Sequence, residues 1–111
     1  MPIIDLNKLK ELQLAPGIRA RVVSTGNVSI AHVILDEGAS IPRHTHHNEQ
    51  IVNVIEGELE LIVEEKTMVL KPGEALILAP MAPHSARAIK GCYVIDVFHP
   101  VREDFVRAIN S

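Results

Sequence analysis

PRHTHHNEQIVNVIEG, residues 42–57, decides how this chain is read. QIVNVIE (50–56) is a β-branched, apolar run that opens after polar residues and stops at Gly57, so it reads as a strand. Just before it, three histidines fall within four positions. His44 and His46 are two apart. On an extended backbone their imidazoles share a face about 7 Å apart, within reach of one ion. A neutral imidazole is a good ligand for divalent transition metals. A solvated polar loop is the competing reading, and the adjacent pair His46 and His47 supports it.

Working outward, similar short runs recur between turn residues. IRARVVS (18–24), VSIAHVIL (28–35), ELELIVE (58–64), TMVL (67–70), EALILA (74–79), SARAI (85–89) and CYVIDVF (92–98) each end at Gly, Pro, Asn, Asp, Glu or Lys. Strands at this spacing predict an all-β sandwich or barrel. At the N-terminal end, DLNKLKELQ (5–13) spaces Leu6, Leu9 and Leu12 three apart, which predicts a short helical turn capped by Asp5. At the other end, PVREDFVRAI (100–109) predicts a helix with Pro100 at its start. Glu103 and Asp104 fall in its first turn, and Val101, Phe105 and Ile109 form its apolar stripe.

Composition narrows the class. A chain of 111 residues supports a single domain, 1–111, around one core. The residues are 47% apolar but only 3% aromatic, so Val, Ile, Leu and Ala must fill that core, as suits a β fold. A formal charge of −3 offers no broad basic field, and no nucleic-acid partner is expected. Cys92 stands alone, which excludes an intramolecular disulfide and points to a reducing compartment. No window approaches the roughly 20 apolar residues of a membrane span, and the acidic, charged start does not resemble a signal peptide. A cytoplasmic protein without membrane contact is expected.

Two later features bear on chemistry. His84 closes APMAPH (79–84), where prolines hold it at the start of a new strand. Ligands drawn from separate strands are what a closed site needs. Asp96 interrupts the apolar strand CYVIDVF, where a carboxylate facing a core is costly unless paired or solvated. Two readings stand for it. One is a structural ion pair with Arg102 that pins the C-terminal helix. The other places Asp96 as a general acid or base in the mouth of the fold, with Phe98 as an apolar wall and Arg102 as a clamp for a substrate carboxylate. His32 is a candidate for lining the pocket and Met81 for touching it. His47 reads as a rim residue and His99 as a surface turn residue.

The arrangement Gly38-x5-His44-x-His46-x3-Gln50-x6-Gly57 resembles the first motif of the cupins, with Gln50 where glutamate is usual. Gly73 followed by APMAPH resembles the second, although Ala79, Met81 and Ala88 depart from its common proline, glycine and asparagine. The resemblance implies a double-stranded β-helix or jelly-roll barrel over about 18–98, with short N- and C-terminal helical segments. It also implies one divalent transition metal (Ni, Zn, Mn, Fe or Cu) held by His44, His46, Gln50 and His84. A glutamine ligand brings no charge, so the ion keeps its full positive charge and suits Lewis-acid work better than oxygen activation. Glu49 is the rival carboxylate ligand, but on a strand it faces away from Gln50.

The tail, with Asp96, Phe98, Pro100, Arg102, Asp104 and Phe105, resembles that of the KdgF-like small cupins of pectin and alginate breakdown. Those proteins open the ring of 4,5-unsaturated uronates to the linear keto acid. The resemblance implies catalytic roles for Asp96, Phe98 and Arg102, a small anionic sugar as substrate, and a homodimer built through the apolar VSIAHVIL and YVIDVF strands. Two other classes stay open: a different metal-dependent cupin enzyme (dioxygenase, isomerase or lyase) and a non-catalytic sugar- or ligand-binding module.

Overall fold

The computed structural model describes residues 2–111. After a 3-10 turn at Leu6–Lys8, eight strands follow: β1 (Leu12–Ala15), β2 (Ile18–Ser24), β3 (Ser29–Leu35), β4 (Ser40–His44), β5 (Glu49–Val63), β6 (Lys66–Leu70), β7 (Ala75–Leu78) and β8 (His84–His99). The helix α1 (Glu103–Ile109) ends the chain. All strand pairings are antiparallel, in the order β1-β2-β3-β8-β5-β6, with β4 added to β8 and β7 to β5. The hydrogen-bonded path is open at its ends, so the expected barrel is a curled sheet and not a closed cylinder.

The long strands β5 and β8 organise everything else. Their ladder runs from Glu49–His99 to Val63–His84. Half of β8 carries β3 and the other half β4; half of β5 carries β7 and the other half β6. The register shifts between Val54 and Leu59 mark where the pair bends. Gly57 sits there with φ of 86°, and a Cβ at that position would overlap the Gly91 carbonyl. Gly57, which reads as a strand end, is instead where two continuous strands pass too closely for a side chain. Gly57→Ala is therefore expected to cost about 3 kcal/mol or more, from left-handed strain and overpacking together. A urea midpoint matching the wild type would contradict that close approach.

The alternation of β2 and β3 puts Ile18, Ala20, Val22, Ala31, Val33 and Leu35 inside, all buried. Val52, Val54, Leu59 and Leu61 of β5 and Cys92, Val94 and Phe98 of β8 complete the core, and Phe105 of α1 docks onto it. Outward, Ile77, Ile51, Val97, Ile30 and Val23 form one row across five strands. β3 and the second half of β8 are hydrogen-bonded on both sides, so neither is a free sheet edge.

Both ends differ from the sequence expectation. Asp5 does cap the first turn, accepting from the Asn7 amide at 3.0 Å, but that turn spans only three residues. Leu12 belongs instead to β1, where it is buried opposite Ala20 of β2. β4 (SIPRH) is an added strand whose Pro42 is tolerated because β4 pairs on one side only. The C-terminal helix is shorter than expected, starting at Glu103 with Arg102 as N-cap, so Pro100 and Val101 precede it; Phe105 is its buried residue and Ile109 is half-buried. Among the described residues, no helix is long and apolar enough to cross a membrane.

Candidate metal centre

Curling brings the two ends of the β5–β8 ladder together. His44 ends β4 directly opposite His84 at the start of β8. His46 lies in the loop that leads into β5, and Gln50 follows on β5 with its side chain inward. One nitrogen from each of His44, His46 and His84 falls within 4.8 Å of the others. The ring centroids stand 4.3 Å (His44–His84), 5.0 Å (His46–His84) and 5.7 Å (His44–His46) apart.

The remaining nitrogens show why this cluster suits a cation. Each Nδ1 lies against a backbone carbonyl: His44 on Pro42 at 2.8 Å, His46 on Asn48 at 3.1 Å and His84 on Ala82 at 2.8 Å. A carbonyl only accepts, so each Nδ1 carries the proton and each Nε2 presents a lone pair. Backbone carbonyls that accept from the far ring nitrogen orient metal-binding histidines in this way. Burial also lowers the pKa of His46 and His84, assisted by the Arg102 charge, which keeps both rings neutral. The Gln50 Oε1 stands 3.0 Å from His46 Nε2. With Nδ1 holding the proton, two acceptors face each other, an arrangement a cation between them reconciles. The residues present therefore fit a divalent metal.

Glu49 is exposed and turned away, as is His47, so neither joins the cluster. His32 lies on the outer face of β3 and bonds the Tyr93 hydroxyl at 2.9 Å, which removes it from the pocket. His99 is exposed on the surface. Met81 is largely exposed and does not line the cavity.

Behind the histidines opens a cavity of about 440 Å³. His44, Gln50, His84, Asp96, Arg102 and Asp104, with Gln13, form its polar part; Phe98 and inward apolar residues of β3, β5 and β8 contribute to its apolar wall. Asp96 is flanked on neighbouring strands by Val52 and Ala31. Its Oδ1 is buried without a hydrogen-bond partner among the described residues. Burial between apolar neighbours pushes its pKa up to about 6, while the Gln50 amide and the Arg102 charge pull the other way.

The Asp96–Arg102 ion pair weighed from sequence does not form. Arg102 is paired with Asp104 instead, Nε to Oδ1 at 2.9 Å and Nη2 to Oδ2 at 2.7 Å. That contact holds the Asp104 pKa below the usual carboxylate range. Phe98 packs edge-on to His46 and to Phe105, at 5.7 and 5.6 Å.

Sequence reasoning missed Asn48 and Ser29, both buried. Asn48 donates through Nδ2 to the Pro100 carbonyl at 2.6 Å, tying the histidine loop to the tail that carries Arg102. The Ser29 hydroxyl accepts from the Arg102 backbone N–H at 2.9 Å. A buried polar residue in NEQ was a local hint, but partners 52 and 73 positions away leave no local signal.

With this geometry in place, comparison with known proteins is direct. Residues 31–98 match the cupin domain family model. The chain belongs to the cupin family. This cupin is 28% identical over 97 residues to the pectin degradation protein KdgF of Dickeya dadantii, covering 85% of this chain and 88% of that one. It superposes on the structure of KdgF from a Halomonas species with a TM-score of 0.86 and 29% identity, over 95% of this chain and 98% of the other. An RmlC-like cupin from Shewanella frigidimarina gives a TM-score of 0.84 at 27% identity, over 89% and 90% of the two chains.

Proposed function

We propose that this cupin binds one divalent transition metal through His44, His46, His84 and Gln50 and opens the ring of a small 4,5-unsaturated uronate to the linear keto acid. The observation that carries the reading is Asp96, whose buried Oδ1 has no partner among the described residues and which lines the same cavity as His44, His84, Gln50 and Arg102. Similarity to KdgF proteins over most of the chain supports the substrate class.

The reaction is an isomerisation. A proton leaves the anomeric hydroxyl, the bond between C1 and the ring oxygen breaks to leave an enolate, and a proton is delivered to C4 as that enolate becomes the ketone. Atoms and electrons balance without an oxidant. A single group that takes and returns a proton meets this demand best when its pKa lies near the working pH. Asp96, whose pKa burial pushes up to about 6, is the group we assign to that role. The Arg102 guanidinium offers planar donors to the sugar carboxylate. Phe98 backs the bound ring with an apolar surface that excludes water. A bound divalent metal supplies Lewis-acid polarisation of a substrate oxygen.

The test is direct. Metal-loaded protein is mixed with 4,5-unsaturated galacturonate, and the absorbance of the ring double bond is followed. Loss faster than the spontaneous rate is expected. No acceleration with Ni, Zn, Mn, Fe or Cu would contradict the assignment.

A further inference from the structure

Arg102 is held far more tightly than a surface arginine. Its side chain is only 15% exposed. The guanidinium carbon lies 4.7 Å from the Phe98 ring centroid and 4.2 Å from that of Phe105, and the two rings stand at 81° to each other. Two aromatic surfaces therefore restrict the guanidinium plane. Asp104 fixes rotation within that plane by taking Nε and Nη2. The backbone is anchored too, by Ser29 at the Arg102 amide and by Asn48 at the Pro100 carbonyl.

A guanidinium has two forks able to grip a carboxylate. Asp104 occupies the one formed by Nε and Nη2, which leaves the Nη1–Nη2 fork for a second carboxylate. Arg102 and Asp104 both line the cavity that holds His44, Gln50, His84 and Asp96. We infer that Asp104 is a positioning residue that presets Arg102 as a carboxylate fork, an inference that rests on the ring-opening function proposed above. The competing account makes Asp104 only a favourable acid in the first turn of α1, which would affect stability and nothing else.

Asp104→Asn separates the two accounts. In metal-loaded protein, KM for 4,5-unsaturated galacturonate should rise about tenfold, as expected when binding must immobilise a rotamer-rich side chain. The change in kcat should stay within about twofold, because Asp104 touches no reacting atom. Metal affinity should not change, and Asp104→Glu should recover part of the loss. Two readouts do not depend on turnover. Saturated galacturonate should bind the variant about tenfold more weakly than the wild type, by the same immobilisation cost. The Arg102 Nε–Hε resonance, protected in the wild type, should broaden or vanish in the variant. If the wild type opens no uronate, the proposed function falls while galacturonate binding and the resonance still decide the role of Asp104. Unchanged or tighter galacturonate binding in Asp104→Asn, or a wild type that binds no galacturonate, would overturn it.

Discussion

Asp96→Asn is expected to cut ring-opening turnover by about 10²–10⁴-fold, the usual contribution of a positioned acid or base, while leaving metal content unchanged. The same substitution is expected to stabilise the metal-free protein. Asp96 is a carboxyl whose native pKa is raised from 3.8 to about 6 by burial between Ala31 and Val52. Between those two pH values the native state holds more protons than the unfolded state, so stability falls as pH rises. The contribution is fully present below 3.8 and fully lost above about 6, a difference of about 3 kcal/mol. Asparagine keeps the shape and removes the charge, so its stability curve should lack this slope. His46 and His84 titrate in both proteins, and comparing wild type with variant isolates Asp96. Urea midpoints at pH 4 and pH 7, measured on both, provide the check. A variant that gains stability and loses turnover is what a residue strained for function should give. Full activity in Asp96→Asn would remove it from the mechanism.

The second large effect concerns His84→Ala. His84 is the only member of the histidine cluster carried by β8, facing His44 across the β4–β8 pair. Loss of an outer-shell partner alone costs 10–100-fold in metal affinity, so loss of the ligand itself should exceed about a hundredfold. Linkage makes this visible without an assay. Metal at a thousand times its dissociation constant should stabilise the wild type by about 4 kcal/mol, and the same concentration should stabilise His84→Ala by no more than about 1.4 kcal/mol. His47→Ala is the control: His47 is exposed and outside the cluster, and it should respond to metal as the wild type does. An equal thermal shift in all three proteins would place the metal elsewhere.

These predictions rest on residues the sequence displayed unevenly. The histidines were legible because the motifs carrying them are local: HxH with Gln50 four residues on, and APMAPH before a strand. The β body was legible from alternation, which β2 and β3 follow residue by residue. Strand ends were not. Gly57 and Gly91 read as turns, yet they lie within β5 and β8, and at Gly57 the close passage of the Gly91 backbone leaves no room for a side chain. Leu6, Leu9 and Leu12 have helical spacing, but burial of Leu12 against the core through β2 outweighs that local preference. The partner of Arg102 was not legible for a related reason. Asp96 lies six positions before Arg102 and Asp104 only two after, and the choice between them depends on how the tail leaves β8. Asn48 and Ser29 fix that exit, and neither carries a motif.

The most direct test of the central claim is a crystal of this cupin soaked in Ni or Zn, with data collected at the absorption edge of the metal. The account predicts one strong anomalous peak per chain, in contact with His44, His46 and His84 and with the side-chain oxygen of Gln50. No peak there, or a peak bound elsewhere on the surface, would contradict it.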